Sequence, residues 1–308
     1  MNSLAFVFPG QGSQYCSMMS DLAGRFPLVG ETFAEASDAL GFDLWKLVQE
    51  DETALNRTEN TQPALLTAGM ALWRVWQAEG GVTPAFLAGH SLGEYTALAA
   101  SGVLSLTDAV KLVALRGRLM QEAVPAGTGA MAAILGLSDD DVRAACAEAA
   151  VIGVAEAVNY NSPAQVVIAG ETAAVQAAMQ SATAKGAKRT IILPVSVPSH
   201  CSLMKPAADK LAATLATVSF HQSAIPVVQN VAARVEADAE AIRQALLAQL
   251  YSPVQWVGTI EWLVAQGVTR TLECGPGKVL CGLNKRISKG LACESLENES
   301  SFIAALAG

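Results

Sequence analysis

A G-x-S-x-G motif at residues 89–93 has the clearest chemical meaning in this sequence. The apolar residues 85–88 before it predict a short buried strand, and the pattern after it predicts a helix. At a sharp strand-to-helix turn, the glycines let the backbone pass closely and the central Ser91 is held exposed at the strand end. The N-terminus of the following helix adds N–H groups and partial positive charge that stabilise an oxyanion. The motif therefore predicts a nucleophilic serine, with a helix-capping serine in a glycine turn as the alternative.

A serine nucleophile needs a base, and the chain offers three histidines: His90, His200 and His221. His200 lies in the proline-stiffened segment 197–202 after a predicted strand, which can hold its ring within reach of a hydroxyl. His90 lies inside the turn, where its side chain must point away from Ser91, and His221 is predicted on a surface connection. His200 is therefore the candidate base, and a structural histidine is the alternative reading.

No acidic residue stands out as a third member of a triad. In α/β-hydrolases the acid follows the serine and the histidine comes near the C-terminus. Here His200 is followed by a further third of the chain. A lipase or esterase therefore fits the residue order poorly.

Two other segments carry residues that can act on a substrate. The loop at 8–14 has glycines at 10 and 12, but Tyr15 stands where a dinucleotide-binding motif needs its third glycine. This loop can instead bring the backbone N–H of Gln11 beside Ser91. Arg116 interrupts an apolar helical stretch, so it is either half of a structural ion pair or a clamp for a carboxylate.

Composition limits the class of protein. The chain has 308 residues, of which 52% are hydrophobic and 16% charged, so a disordered protein is excluded. Its net charge of −8 argues against nucleic acid as the main partner. No apolar stretch is long enough to span a membrane, and residues 1–8 lack the pattern of a secretory signal. Six scattered cysteines and the histidine spacing predict free thiols, no metal site and a cytoplasmic location.

The alternation of short apolar runs with amphipathic ones predicts an α/β fold. In the first part, the pattern predicts a strand at 4–8, a helix from a Thr61-Gln62-Pro63 cap to about residue 80, a strand at 85–88, and helices at 93–101 and 107–124. Candidate strands follow at 226–229 and 270–273. Between them, strands at 130–135, 154–160, 165–169 and 189–195 and helices at 139–149 and 171–185 have the βαββαβ order of a ferredoxin-like unit. We therefore expect one domain from residues 1–126 and 198–308, with a subdomain at 127–197 inserted in it.

Taken together, these motifs resemble malonyl-CoA:acyl carrier protein transacylases. The resemblance rests on the segments 8–14, 89–95, 197–200, 226–231 and 273–280 and on the Arg116 helix, and it runs from about Leu4 to Ile287. It implies a hydrolase-like parallel-sheet domain carrying a ferredoxin-like subdomain. It also implies malonyl transfer from coenzyme A to acyl carrier protein in fatty acid synthesis, without a cofactor.

The resemblance further implies a role for each site residue. Ser91 is the acylated nucleophile, and His200 is its base. The backbone N–H groups of Gln11 and Leu92 form the oxyanion hole, and Arg116 holds the malonyl carboxylate. The remaining implied site residues are Gln249, whose backbone carbonyl orients the histidine in place of an acid, and the substrate-binding Ser199 and Asn230.

Three other functions stay open at this point. The first is an acyltransferase of the same fold that serves polyketide synthesis or uses another extender unit. The second is a serine hydrolase, and the third is a non-catalytic module that binds carrier protein. Because carrier proteins are acidic, docking on this acidic chain needs a local basic face. The candidate clusters, each with an ordinary solvated face as its alternative, are Lys185, Lys188 and Arg189, and Lys285, Arg286 and Lys289.

Overall fold

The computed structural model describes residues 3–125, 127–195, 197–236 and 238–308. Its strands are β1 (Leu4–Phe8), β2 (Phe86–Gly89), β3 (Gly129–Leu135), β4 (Ala155–Ser162), β5 (Gln165–Glu171), β6 (Arg189–Ile192), β7 (Val227–Gln229), β8 (Arg234–Val235), β9 (Arg270–Glu273) and β10 (Ala292–Ser295). Its α-helices are α1 (Ser20–Arg25), α2 (Pro27–Leu40), α3 (Leu44–Glu50), α4 (Glu52–Leu55), α5 (Thr58–Ala78), α6 (Leu92–Ala100), α7 (Leu106–Ala123), α8 (Asp139–Ala149), α9 (Thr172–Ala184), α10 (Lys205–Leu215), α11 (Ala239–Tyr251), α12 (Trp256–Ala265), α13 (Val279–Ile287) and α14 (Glu299–Leu306). A short 3₁₀ helix covers Ser202–Met204.

The larger sheet has the strand order β10-β9-β1-β2-β7-β8, and its strands are parallel except for the β7–β8 pair. Every residue of the central strand β1 is buried, as expected for a parallel strand covered by helices on both faces. The register pairs Phe8 with Gly89, so the loop after β1 and the turn after β2 meet at one edge. Ligands bind at this carboxyl edge in open α/β sheets.

The smaller sheet is antiparallel, with the order β4-β5-β3-β6. Alternate residues of β3 face opposite sides, as a strand requires. Ala132 and Ile134 pack in the cluster formed with α8 and α9, whereas Met131 and Ala133 pack in a second cluster with Cys201. The predicted βαββαβ unit is therefore confirmed, and its second face lies against the chain beside His200.

The domain boundaries at residues 126/127 and 197/198 stay a prediction. The small sheet lies between Gly129 and Ile192, inside the predicted 127–197 subdomain. The first boundary falls on Ala126, which lies outside the described residues. No helix within the described ranges is both long enough and apolar enough to cross a membrane.

Two predicted elements differ from the structure by three residues or more at one end. The first long helix begins at Thr58 rather than after Pro63. Its first turn packs closely on α7, where a Cβ on Gly117 would lie 2.6 Å from the Thr58 carbonyl oxygen. This tertiary contact lets the helix begin before Pro63, which by itself predicts a later start. Strand β6 ends at Ile192 rather than Val195, because Pro194 has no N–H to continue the ladder.

Candidate active site

Ser91 lies in a strained turn between β2 and α6. Its backbone angles, φ 53° and ψ −110°, are unfavourable for a residue with a Cβ. The glycines on either side accept close backbone approach: a Cβ on Gly93 would lie 2.0 Å from the Phe8 carbonyl oxygen, and one on Gly89 would lie 1.9 Å from the Gly93 carbonyl carbon. The geometry is that of a nucleophile elbow, which holds the serine at the edge of the sheet.

We expect Gly93→Ala to destabilise the fold, because its methyl group cannot fit beside the Phe8 carbonyl. Relief requires β1 and α6 to separate, at a cost of about 3 kcal/mol in the free energy of unfolding. Urea unfolding measures the loss. The matched control is Gly30→Ala, since Gly30 lies in α2 with no atom within 4 Å of its added Cβ. Equal stability of the two variants would contradict the close packing of this turn.

His200 bridges the serine and a backbone carbonyl. Its Nε2 lies 2.7 Å from the Ser91 Oγ, and its Nδ1 lies 2.7 Å from the carbonyl oxygen of Gln249. A carbonyl oxygen only accepts, so Nδ1 carries the proton and donates it to Gln249. Nε2 therefore presents its lone pair to the serine hydroxyl, which donates to it. A carbonyl thus fixes the tautomer that a carboxylate fixes in a Ser-His-Asp triad.

Burial and the nearby charge of Arg116 lower the pKa of His200 to about 3. Both effects disfavour the imidazolium, because a buried cation loses its hydration and is repelled by the guanidinium. Within the described residues, His200 has no carboxylate partner that would offset them. In the free enzyme His200 is therefore neutral and able to accept a proton across the physiological range.

This lowered pKa predicts an unusual pH profile for acylation of Ser91. A histidine with the ordinary pKa of about 6.5 loses half its neutral form at that pH, whereas His200 stays neutral well below it. The single-turnover acylation rate should therefore remain level from about pH 8 down to about pH 5. Rapid-quench measurement with malonyl-CoA tests this, and circular dichroism at each pH checks the fold. An acid limb with a midpoint near pH 6.5 would contradict it.

Arg116 is buried on α7 and faces the same serine. Its Nη1 donates to Gln62 Oε1 at 2.8 Å, and its Nη2 donates to Gln249 Oε1 at 2.9 Å and lies 3.4 Å from the Ser91 Oγ. The guanidinium carbon lies 5.2 Å from the centre of the Tyr95 ring. Across the described part of the chain, Arg116 forms no salt bridge. A buried cation held by neutral amides can bind an incoming carboxylate.

Gln11 and Leu92 both line the pocket that contains Ser91. The loop carrying Gln11 lies against the elbow, because a Cβ on Gly10 would be 2.6 Å from the His90 carbonyl oxygen. Leu92 is the first residue of α6, where helix N–H groups have no partner within the helix. Both residues therefore lie near the serine, and their main-chain N–H groups remain the predicted donors of an oxyanion hole.

Of the two other residues predicted to bind substrate, Ser199 and Asn230, the structure places only the first in the pocket. Ser199 lines the pocket. Asn230, predicted to contact substrate, is fully buried behind the turn and outside the pocket lining: its Oδ1 accepts from the Ser91 N–H at 2.7 Å and its Nδ2 donates to the Gly89 carbonyl at 2.6 Å. His90 Nε2 pairs with Asn161 Oδ1 at 2.7 Å rather than with the serine, and His221 is exposed.

Sequence reasoning missed two residues that contact the site. Gln62 holds the Arg116 guanidinium, and the fully buried Glu94 contacts Gln249. The available signal for Glu94 was an acidic residue within the otherwise uncharged helix α6. Gln62 carried no such signal, since a polar residue before a proline is ordinary near a helix start. Over the described ranges, no group of three or more His, Cys, Asp or Glu side chains could hold a metal ion.

This fold and site define an acyl transferase. The family model described as the acyl transferase domain matches residues 5–281, and the chain belongs to that family.

Named relatives are similar to this chain over its whole length. It is 57% identical over 307 residues to the malonyl CoA-acyl carrier protein transacylase of Escherichia coli strain K12, covering 99% of each chain. A crystal structure of malonyl-CoA:acyl carrier protein transacylase from Xanthomonas oryzae pv. oryzae is 55% identical with a TM-score of 0.98, covering 100% of this chain and 98% of that one. A malonyl-transacylase in complex with its type II PKS acyl-carrier protein is also 55% identical, with a TM-score of 0.98 and 99% of both chains covered.

Proposed function

We propose that this protein transfers the malonyl group from malonyl-CoA to the phosphopantetheine thiol of acyl carrier protein, through an ester on Ser91. One observation carries the proposal: the Ser91 hydroxyl lies 2.7 Å from the His200 ring and 3.4 Å from the Arg116 guanidinium, which forms no salt bridge with any described residue. The first contact activates a nucleophile, and the second selects an acyl group with its own carboxylate. The named relatives described above support the same substrates.

The first half-reaction forms the acyl-enzyme. His200 Nε2 takes the proton of the Ser91 hydroxyl as its oxygen attacks the thioester carbonyl carbon. The N–H groups of Gln11 and Leu92 bind the resulting oxyanion; loss of one such donor costs about 3 kcal/mol in comparable sites. The C–S bond then breaks, and His200 returns the proton to the coenzyme A thiolate. The malonyl carboxylate remains on Arg116.

The second half-reaction reverses these steps with another thiol. His200 takes the proton of the phosphopantetheine thiol, whose sulfur attacks the ester carbonyl, and returns it to Ser91 as the ester bond breaks. One acyl bond replaces another without oxidation or reduction, so we expect no cofactor. Asn230 acts in this scheme by holding the turn that leads to Ser91, through the Gly89 carbonyl and the Ser91 N–H, rather than by contacting substrate.

A transfer assay with purified holo carrier protein tests the function. The protein is mixed with malonyl-CoA or acetyl-CoA, and the carrier protein is weighed by mass spectrometry. We expect the malonyl increment on the carrier protein, with malonyl-CoA strongly preferred over acetyl-CoA. Release of free malonate without carrier acylation would instead identify a serine hydrolase, and no turnover with either donor would favour a non-catalytic binding module.

The basic residues of α13 are the better candidates for carrier docking. Lys285 and Arg286 are exposed in its last turn, Val279 and Leu280 of the same helix line a cavity that also contains Gln11, and Lys289 follows. In the other cluster, Lys185 is already paired with Glu148 at 2.7 Å. An acidic carrier protein placed over α13 would thus lie beside the site entrance.

Reversing the α13 charges should weaken carrier binding. We expect Lys285→Glu with Arg286→Glu to raise the KM for carrier protein about tenfold at low salt, with kcat nearly unchanged. The matched control, Lys188→Glu with Arg189→Glu, should change this KM less than about twofold. A larger effect of the control pair would move the docking face to the small sheet, and no effect of either pair would discard both clusters.

Two organisational features complete the proposal. The domain formed by 1–126 and 198–308 supplies the nucleophile and the arginine, and the subdomain at 127–197 covers the site from one side. The use of coenzyme A thioesters supports a cytoplasmic location. Carrier proteins of fatty acid synthesis and of polyketide synthesis present the same phosphopantetheine thiol. The pathway that receives the malonyl group is therefore set by which carrier protein is present.

A further inference from the structure

Glu94 is a fully buried carboxyl group that the two half-reactions do not use. It lies in the first turn of α6, directly behind the nucleophile. Its Oε2 accepts from the Gln249 side-chain amide and from the Asn230 N–H, both at 2.9 Å. Its Oε1 has no hydrogen-bond partner among the described residues. A buried carboxyl is costly, so these contacts need a reason beyond packing.

The Gln249 amide is fixed in one orientation by its neighbours. Its Nε2 donates to Glu94 and to the Ser91 carbonyl oxygen at 2.9 Å, and its Oε1 accepts from Arg116 Nη2 at 2.9 Å. Turning the amide over would set its NH₂ group against the guanidinium and its oxygen against two acceptors. The carboxyl of Glu94, together with the Ser91 carbonyl, therefore determines which end of Gln249 faces the arginine.

This arrangement leaves the charge of Arg116 available to substrate. The guanidinium is oriented by two amide oxygens, from Gln62 and Gln249, and no carboxylate of a described residue is hydrogen-bonded to it. Glu94 is one residue further away, behind Gln249. Burial also raises the pKa of Glu94 to about 7, against the opposing effects of its hydrogen bonds and of Arg116, so its negative charge is reduced at neutral pH.

We propose that Glu94 is a positioning residue for acyl-group selectivity: through the Gln249 amide it orients the Arg116 guanidinium toward a substrate carboxylate without neutralising it. The inference rests on the proposed function and deepens it. Gln249 then has two separate roles. Its backbone carbonyl orients His200, and its side-chain amide, aligned by Glu94, orients Arg116.

The test compares three variants for acylation by malonyl-CoA and by acetyl-CoA, measured as kcat/KM with the wild type alongside. Glu94→Gln keeps an acceptor for Gln249, so its malonyl-to-acetyl ratio should stay within about threefold of wild type. Glu94→Leu removes the acceptor, and the ratio should fall about tenfold or more. The exchange Glu94→Gln with Gln249→Glu keeps a carboxyl–amide pair but puts the carboxylate against Arg116. Malonyl transfer should then fall about a hundredfold, and acetyl transfer less than about tenfold.

The outcomes separate this inference from the proposed function. A wild type that malonyl-CoA does not acylate overturns both. A wild type with normal transfer, but an exchanged pair that keeps the wild-type ratio, overturns only the role of Glu94. Equal losses of malonyl and acetyl transfer in Glu94→Leu would show a purely structural residue. If Glu94→Leu does not fold, the single Gln variant and the exchanged pair decide.

Discussion

Replacing Ser91 by alanine is expected to lower malonyl transfer to carrier protein by at least about 10⁴-fold. The hydroxyl is the group that both half-reactions acylate, and it is held by the His200 ring at 2.7 Å. With only a methyl group there, the oxyanion donors and Arg116 can still bind malonyl-CoA but cannot form the ester. The KM or binding constant for malonyl-CoA should therefore change little. Steady-state transfer, with malonyl-CoA binding measured by calorimetry, separates the two effects.

The neighbouring pocket serine supplies the control for this prediction. Ser199 lies beside His200, and among the described residues its hydroxyl makes only a long contact, 3.5 Å, to the Val197 carbonyl oxygen. We expect Ser199→Ala to change transfer by less than about tenfold. Substantial transfer by Ser91→Ala, or an equal loss in both serine variants, would place the nucleophile elsewhere.

Arg116→Ala is expected to lower malonyl transfer by about 10³-fold while leaving acetyl transfer within about tenfold of wild type. The guanidinium is buried, unpaired by any described carboxylate and 3.4 Å from the serine oxygen, so it is placed to bind a carboxylate one methylene beyond the ester carbonyl. Arg116→Lys should recover only part of the loss, because a lysine cannot present two parallel N–H donors. Parallel kcat/KM measurements with both donors test this.

The exposed arginine on the same helix is the control. Arg118 lies two residues along α7 on its solvent side, so Arg118→Ala should leave both donors unaffected. If Arg116→Ala still preferred malonyl-CoA over acetyl-CoA as strongly as wild type, selectivity would have to come from another part of the pocket.

The pairing of Ser91 with His200 could be predicted because each residue stands out in its local sequence. The glycines two residues before and after Ser91 indicate a sharp turn, and a sequence with 3 histidines has few candidates for a base. The orienting carbonyl of Gln249 could not be derived in this way, since every residue carries a carbonyl and only the fold brings this one to Nδ1. It entered through the resemblance alone. Glu94 was missed because its contact with Gln249 joins residues 155 positions apart.

The fold was predicted best where the pattern is local. The βαββαβ unit and strand β1 follow from period-two and period-3.6 patterns, and helix α8 was placed at its observed bounds. Helices α1 to α4 went unpredicted: α1, α3 and α4 have at most 7 residues each, and the 14-residue α2 mixes apolar with polar residues. The start of α5 was wrong because contact with Gly117 outweighs the proline signal.

The covalent malonyl-serine ester is the central claim, and intact-mass spectrometry tests it most directly. The protein is mixed briefly with malonyl-CoA in the absence of carrier protein, quenched in acid and weighed, and the modified peptide is sequenced. We predict one malonyl increment on wild type, located on Ser91, and none on Ser91→Ala. An increment that persists in Ser91→Ala, or free coenzyme A accumulating without any increment on wild type, would contradict the account.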